Sequence, residues 1–418
     1  MRKRLVWLAL ALAVGLHGWG LAGPVWEKVR NASHARDFAS YYYAVQVAGD
    51  GGDPYETRAL SKLARTDKTR KGGVHPFFYP PPYVLCFAWV LPLELTTAYR
   101  TWYVVNHLFL LAVLLSLWRW WPRPSMALAL GIMAASFSPI PDNDWMGQAN
   151  LFMLACMVPG LLLVERDRPW AGGALVGLAC MLKMSPALLV AWWLLQRRWK
   201  PVAAALAAAV LLSVASLPLV GFEEQWRFFT EVLPGFAQGD YHGLRVRITI
   251  PHNHSIPSLL HEIIGGGTAT SIGPLAGWIA RVFTLGILGA LAWRFRERPR
   301  DSVGSLCQVG AVVVVMLVLP LYTYEHHMVS MLVPYAAVFA AARQGRLGKA
   351  WWVALGIAYA VQALPLDVLK AMYEWLDALG SLRDPVYYLM RESKFLAALL
   401  VGLACLVAAG RGPGGQGG

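Results

Sequence analysis

The chain has 418 residues, 57% of them hydrophobic and only 15% charged, with a formal charge of +13. A soluble domain carries about 25% charged residues, and the apolar residues here run together in long stretches, so a set of soluble domains is excluded in favour of one bundle in lipid. Strand-period alternation is absent, which leaves helices of about 20 residues to satisfy the backbone; Lys and Arg sit in short loops between apolar runs, where they read as topology signals and headgroup contacts rather than a nucleic-acid surface.

Arg2, Lys3 and Arg4 precede an apolar run to about Ala22. Pro24 follows the one small-residue site at which a signal peptide would be cut, so the run reads as an uncleaved first helix with its basic end in the cytoplasm. Expected spans follow at 5–22, 101–118, 125–139, 149–164, 170–182, 185–196, 202–220, 274–293, 303–321, 328–342, 350–365 and 394–410. The fold class is therefore an all-α polytopic membrane bundle of about 12 helices. Residues 1–365 are expected to form the main membrane module, including outer loops 23–100 and 221–273, with 366–410 an outer loop and last span and the Gly-rich 411–418 a disordered tail.

The basic loops Arg119–Arg123, Arg166–Arg168, Arg197–Lys200, Arg294–Arg300 and Arg343–Lys349 are cytoplasmic by the positive-inside rule. Alternation then puts 23–100, 140–148, Lys183–Pro186, 221–273, 322–327 and 366–393 outside. Residues 80–95, opened by Tyr79-Pro80-Pro81-Pro82, read as a helix lying in the outer interface or re-entering from it, because a crossing there would invert every later basic loop. Cys86, Cys156, Cys180, Cys307 and Cys405 show no metal or redox spacing and read as core residues.

Unusual polar residues fall on the outer side of this topology. Asp37 follows the first helix and precedes Tyr41-Tyr42-Tyr43. A carboxylate there is either a general base on a sugar hydroxyl or a helix cap. Gln148 and Asn150 enter a helix and serve either sugar hydroxyls or its cap, and Asp142 with Asp144 lack a third metal ligand nearby. Lys183, three residues before Pro186, offers a point charge to a phosphate or snorkels to the headgroups. Arg281 carries the same two readings. His252-Asn253-His254-Ser255 and Glu325-His326-His327 suggest phosphate or sugar contacts, or interfacial histidines satisfied locally.

Asp37 with the tyrosine run, Asp53-Pro54-Tyr55, Tyr79-Pro80-Pro81, Gly147-Gln148-Ala149-Asn150, Lys183 with Pro186, Asn253-His254-Ser255 and Glu325-His326-His327 occur in that order. This series resembles glycosyltransferase family 87, over roughly residues 30 to 340. The resemblance implies a GT-C fold whose first outer loop carries the catalytic Asp, matched by Asp37. It also implies inverting transfer of a hexose, mannose above others, from a polyprenyl-phosphate sugar to a lipid or glycan acceptor. Lys183 matches the family's lysine before proline, and His327 the histidine opening a late helix. Some members have Asn-Gln-Ser where this chain has Asn253-His254-Ser255.

The expected roles are Asp37 as base; Lys183, His327 and Arg281 on the donor phosphate; and Tyr41, Tyr42, Gln148, Asn150, Asn253, Ser255 and His326 on substrate, with Trp145 available to stack on a sugar. No cofactor is expected, the sequence leaves a divalent metal open, and the partners are the lipid donor, the acceptor and membrane lipids, not nucleic acid. The expected location is the bacterial plasma membrane with the site facing outward. A transporter or flippase of lipid-linked sugars is the principal alternative; a membrane scaffold and a lipid-linked-sugar polymerase or ligase are the others.

Overall fold

The computed structural model describes residues 26–30, 36–66, 74–239, 246–250, 253–265, 269–378 and 384–412. Every regular element among them is helical. The expected first helix at 5–22, residues 67–71 of the basic stretch after Arg58, His252, and 413–418 of the tail lie outside the described residues.

Three helices are long and apolar enough to cross a membrane: Leu95–Trp120, Trp199–Ser216 and Pro274–Phe295. At 1.5 Å per residue the first is about 39 Å long, more than the roughly 30 Å hydrocarbon core. Two bent pairs raise the number to five: Pro124–Ser136 with Pro139–Met146, at 53°, and Lys349–Ala363 with Leu366–Leu376, at 97°. The helices Asn150–Glu165, Pro169–Leu182, Ser302–Val318 and Ser393–Ala409 are apolar but shorter. The described helices thus supply three to five candidates for a full crossing, where about 12 spans are expected, several of them shorter than a full crossing. The reason is visible at Lys183–Pro186. Lys183 is extended at φ −150° and ψ 135°, and Pro186 caps the nine-residue helix Ala187–Leu195. A helix that short reaches about 13 Å, so the expected span 185–196 is not a full crossing.

Residues 80–95 break up as well. They hold only the five-residue helix Pro82–Cys86 and the turn Ala88–Val90 before Leu95 opens the long helix. Five helical residues cover about 8 Å, too little to cross.

The described residues fall into two compact units, one within Leu117–Asp142 and Arg247–Gly418, the other within Trp19–Ser116 and Asn143–Val246. In the second, the helices Asn150–Glu165, Pro169–Leu182 and Trp199–Ser216 meet through glycines. A Cβ on Gly172 would come within 2.4 Å of the Gly160 carbonyl, and one on Gly177 within 2.4 Å of the Ala205 carbonyl. Lipid supplies no hydrophobic force between helices, so close backbone approach through small residues is how they gain contact. The same unit buries an aromatic cluster. Tyr83 stacks on Phe87 at 4.5 Å, and Phe87 lies 4.6 Å from Trp102.

In the first unit, the helix Ser302–Val318 is buried at every residue from Val303 to Val318, as a helix apolar on nearly all sides must be. Its loops are tied by ion pairs. Arg346 donates to both carboxylate oxygens of Asp301 at 2.7 Å, the bidentate geometry that suits a guanidinium.

Candidate active site

The helix Arg36–Gly49 places Asp37 in its first turn, where the helix's positive end favours a carboxylate. Both oxygens of Asp37 are held. Oδ1 lies 2.9 Å from Nδ1 of His75, and Oδ2 accepts from Nε2 of Gln148 at 2.7 Å. The Gln148 amide is oriented in turn. Its Oε1 accepts from the hydroxyls of Tyr41 at 3.1 Å and Tyr79 at 3.2 Å, and those hydroxyls lie 2.7 Å apart. Only the amide nitrogen remains for Asp37, so the side chain cannot be turned over without losing three bonds.

Gln148 is set by the residue before it. Gly147 has φ +69°, and a Cβ there would come within 2.6 Å of the Phe38 Cβ and 2.9 Å of the Tyr99 ring. Trp102 donates its Nε1 to the Gly147 carbonyl at 3.0 Å. The turn therefore passes directly against Phe38, the neighbour of Asp37, and delivers Gln148 to the carboxylate.

Lys183 donates to Asn150 Oδ1 at 2.5 Å, and Asn150 Nδ2 donates to Asn143 Oδ1 at 3.1 Å. The ammonium also stands 5.9 Å from the centre of the Tyr79 ring. The cap of the helix Asn150–Glu165 is Ala149, so Asn150 turns its side chain to the lysine instead of capping. Desolvation drives the Lys183 pKa down to about 7 from the usual 10.5, and the charge of Asp37 opposes that fall. A cation and a carboxylate thus share one electrostatic environment, held from four separate stretches of chain. Tyr41 and Gln148 belong to this cluster; Tyr42 is buried and gives its hydroxyl to the Leu93 carbonyl at 2.8 Å, tying down the segment before the long helix. Trp145 offers its carbonyl to the Tyr99 hydroxyl at 2.5 Å.

His75 and Tyr79 are the residues that the sequence reading missed as members of the site. Tyr79 was visible only as the start of a Pro-rich motif. His75 is a single histidine before Pro76, and no spacing rule connects it to a carboxylate 38 positions earlier.

The remaining expected residues belong to the other unit. Asn253 spends its amide on backbone: Nδ2 donates to the carbonyls of Ile248 and Leu321, both at 2.9 Å, and Oδ1 accepts from Thr323 N. Ser255 caps the helix Ile256–Ile263 and donates to the Leu321 carbonyl. Asn253 and Ser255 therefore clamp the turn that precedes Glu325. His326 Nδ1 lies 3.7 Å from Asp142 Oδ2, and His327 Nδ1 accepts from the Tyr324 N–H at 3.1 Å. Glu325 takes His254 Nε2 at 3.2 Å and the Ser138 hydroxyl at 3.1 Å, and it pairs with Lys394. Burial pushes the Glu325 pKa up, but the His254 hydrogen bond and the Lys394 charge outweigh it and hold the carboxyl ionised. Arg281 is exposed on the helix Pro274–Phe295, its guanidinium 5.4 Å from the Trp278 ring. Among the described residues no three His, Cys, Asp or Glu side chains converge as a metal site.

The chain is similar to known enzymes. It is 24% identical over 425 residues to a Mycobacterium tuberculosis polyprenol-phosphate-mannose-dependent alpha-(1-2)-phosphatidylinositol mannoside mannosyltransferase, covering 97% of this chain and 90% of that protein. A Mycolicibacterium smegmatis polyprenol-phosphate-mannose-dependent alpha-(1-2)-phosphatidylinositol pentamannoside mannosyltransferase is 30% identical over 201 residues, 48% of this chain and 44% of that one. An alpha-(1->3)-arabinofuranosyltransferase of Mycobacterium tuberculosis is 42% identical over 76 residues, 18% of this chain and 17% of that protein. The model of glycosyltransferase family 87 matches residues 77–320, a stretch that holds Tyr79, Gln148, Asn150 and Lys183 and begins beyond Asp37 and His75. With more than half its length matched and helices of membrane-spanning length, this chain belongs to glycosyltransferase family 87 and is a membrane glycosyltransferase.

Proposed function

We propose that the protein transfers a hexose, mannose above others, from a polyprenyl-phosphate sugar to a lipid or glycan acceptor, with inversion, at the outer face of a bacterial plasma membrane. The observation that carries this reading is the fixed carboxylate of Asp37 beside the Lys183–Asn150 pair. Asp37 removes the acceptor hydroxyl proton as that oxygen attacks the anomeric carbon. The bond from that carbon to the phosphate oxygen breaks on the opposite face, and its electron pair leaves with the phosphate. Lys183 supplies positive charge where the phosphate gains negative charge, an electrostatic contribution that grows in a site shielded from water. The relatives' names support a polyprenol-phosphate-mannose donor and a phosphatidylinositol mannoside acceptor. His327 and Arg281 belong to the other unit, and their assignment to the donor phosphate rests on the sequence alone. The larger bundle of about 12 spans and the outward orientation rest on the charge pattern of the loops.

The test is release of free polyprenyl phosphate from a panel of polyprenyl-phosphate sugars by the full chain in lipid nanodiscs, with phosphatidylinositol mannosides as acceptors. Wild type should prefer one sugar, and Asp37→Asn should lower turnover by about 10²–10⁴. Unchanged turnover in that variant would remove Asp37 as base. No release and no binding of any donor would remove the transferase reading and leave transport of lipid-linked sugars as the next hypothesis to measure.

A further inference from the structure

We propose that His75 is a positioning residue for Asp37: its Nδ1–H and the Gln148 amide together fix the plane of the carboxylate for proton transfer from the acceptor hydroxyl. The inference rests on the reading of Asp37 as base. An ionised carboxylate only accepts, so the 2.9 Å contact requires the proton on Nδ1. One hydrogen bond leaves a carboxylate free to swing about the donor axis. Two donors, one on each oxygen, remove that freedom.

Asp37 is 15% exposed at its side chain and His75 30%, whereas Gln148 and Tyr41 are buried. Among the described residues no group meets His75 Nε2, and the ring pairs with Asp37.

The stretch that carries the ring is fastened immediately after it. Ser40, one helical turn beyond Asp37, donates to the Pro76 carbonyl at 3.1 Å. Phe77 is buried with its ring 5.5 Å from Tyr55 and 5.6 Å from Tyr79, and the Tyr55 hydroxyl donates to the Tyr79 carbonyl at 2.9 Å. Tyr79 therefore anchors the strap that presents His75 and helps orient the amide that holds the other oxygen. Near-attack geometry is sensitive to displacements of about 1 Å, worth about 10² in rate. That sensitivity is what a second donor guards against.

The experiment uses the full chain in nanodiscs and the polyprenyl phosphate release assay. His75→Ala should lower kcat about tenfold to a hundredfold with the donor KM within about twofold of wild type. His75→Asn, whose amide nitrogen can stand where Nδ1 stands and donate to the same oxygen, should recover most of that loss. In an Asp37→Asn background, His75→Ala should change the residual rate by less than about twofold, because there is no base left to orient. Gel-filtration profiles and melting temperatures keep misfolding separate from the rate effects. Wild-type kcat in His75→Ala, a loss confined to KM, an Asn variant as slow as Ala, or an undiminished further loss in the Asp37→Asn background would each overturn the inference. Failure of wild type to release polyprenyl phosphate from any sugar would instead overturn the proposed function.

Discussion

Gln148 donates to Asp37 over 2.7 Å through an amide whose oxygen is taken by Tyr41 and Tyr79. The carboxylate is oriented from 111 residues away in sequence, by a side chain that cannot turn over without stranding two tyrosine hydroxyls. Gln148→Leu should therefore leave the following helix Asn150–Glu165 intact and lower kcat about tenfold to a hundredfold. Gln148→Glu should be worse, since it places a second carboxylate against Asp37 and exchanges a donor for an acceptor. Steady-state kinetics of polyprenyl phosphate release for both variants check this. A Gln148→Glu variant faster than Gln148→Leu would mean that the amide does not orient the base.

Lys183 gives the reaction a pH dependence. Its pKa is pushed down to about 7 by desolvation, against the opposing charge of Asp37. The ammonium form, which the proposed mechanism sets against the donor phosphate, is present below about pH 7 and lost above it. The donor phosphodiester stays anionic throughout, so kcat/KM for the donor should fall as pH rises from about 7 to 9. This ratio reports the free enzyme, so the group titrates there without the bound phosphate. Lys183→Arg keeps its charge at every accessible pH and should flatten that fall, even if the wider guanidinium lowers the absolute rate. A wild-type profile with no fall above pH 7 would show that Lys183 is charged in the free enzyme or does not meet the phosphate.

Gly147→Ala tests the turn that delivers Gln148. A side chain at φ +69° is strained, and the new Cβ would meet Phe38 at 2.6 Å and Tyr99 at 2.9 Å. Left-handed backbone alone costs about 1–3 kcal/mol, and the contact with Phe38 displaces the residue beside Asp37. The variant should melt several degrees lower and lose turnover more steeply than a surface glycine variant such as Gly348→Ala, where nothing lies within 4 Å. Thermal melts in detergent and the release assay measure both effects.

How much of this was legible beforehand follows from the kind of contact involved. Apolar periods and charged loops are local properties, so the helical class and the positions of most helices could be read from them. The break at Lys183–Pro186 is legible in the sequence, although hydropathy measures composition and not where a helix stops. Asp37, Gln148, Asn150 and Lys183 stood out as polar residues beside apolar runs, and the structure gathers all four. Asn253 and Ser255 stood out in the same way, yet their polar groups are spent on the backbone of a turn. A polar residue near a membrane segment has two outlets, substrate and backbone, and sequence does not distinguish them. His75 was invisible because its partner lies in another helix and its neighbours look like an ordinary Pro-rich loop.

Lys394 and Glu325 provide the clearest test of stability. Lys394 is 1% exposed in the first turn of Ser393–Ala409, where it also donates to the Leu364 carbonyl at 2.6 Å. Glu325 is 5% exposed and is shared between Lys394, His254 and Ser138. Removing one partner of such a pair leaves the other charge buried and alone, which costs about 3–5 kcal/mol, whereas replacing both charges by apolar groups of similar size can be nearly neutral. Lys394→Met should therefore lower the melting temperature sharply, and Glu325→Leu/Lys394→Met should regain much of it. His254 and Ser138 limit the recovery, because the double variant leaves both without their shared acceptor. The segment that follows Glu325 carries His326 and His327, so the double variant also asks what the charge does besides holding the fold. Recovery of stability with turnover still depressed would give the buried pair a role in placing those histidines. Recovery of both would make it a purely structural clamp, and a double variant no more stable than Lys394→Met would show that Glu325 is held mainly by His254 and Ser138.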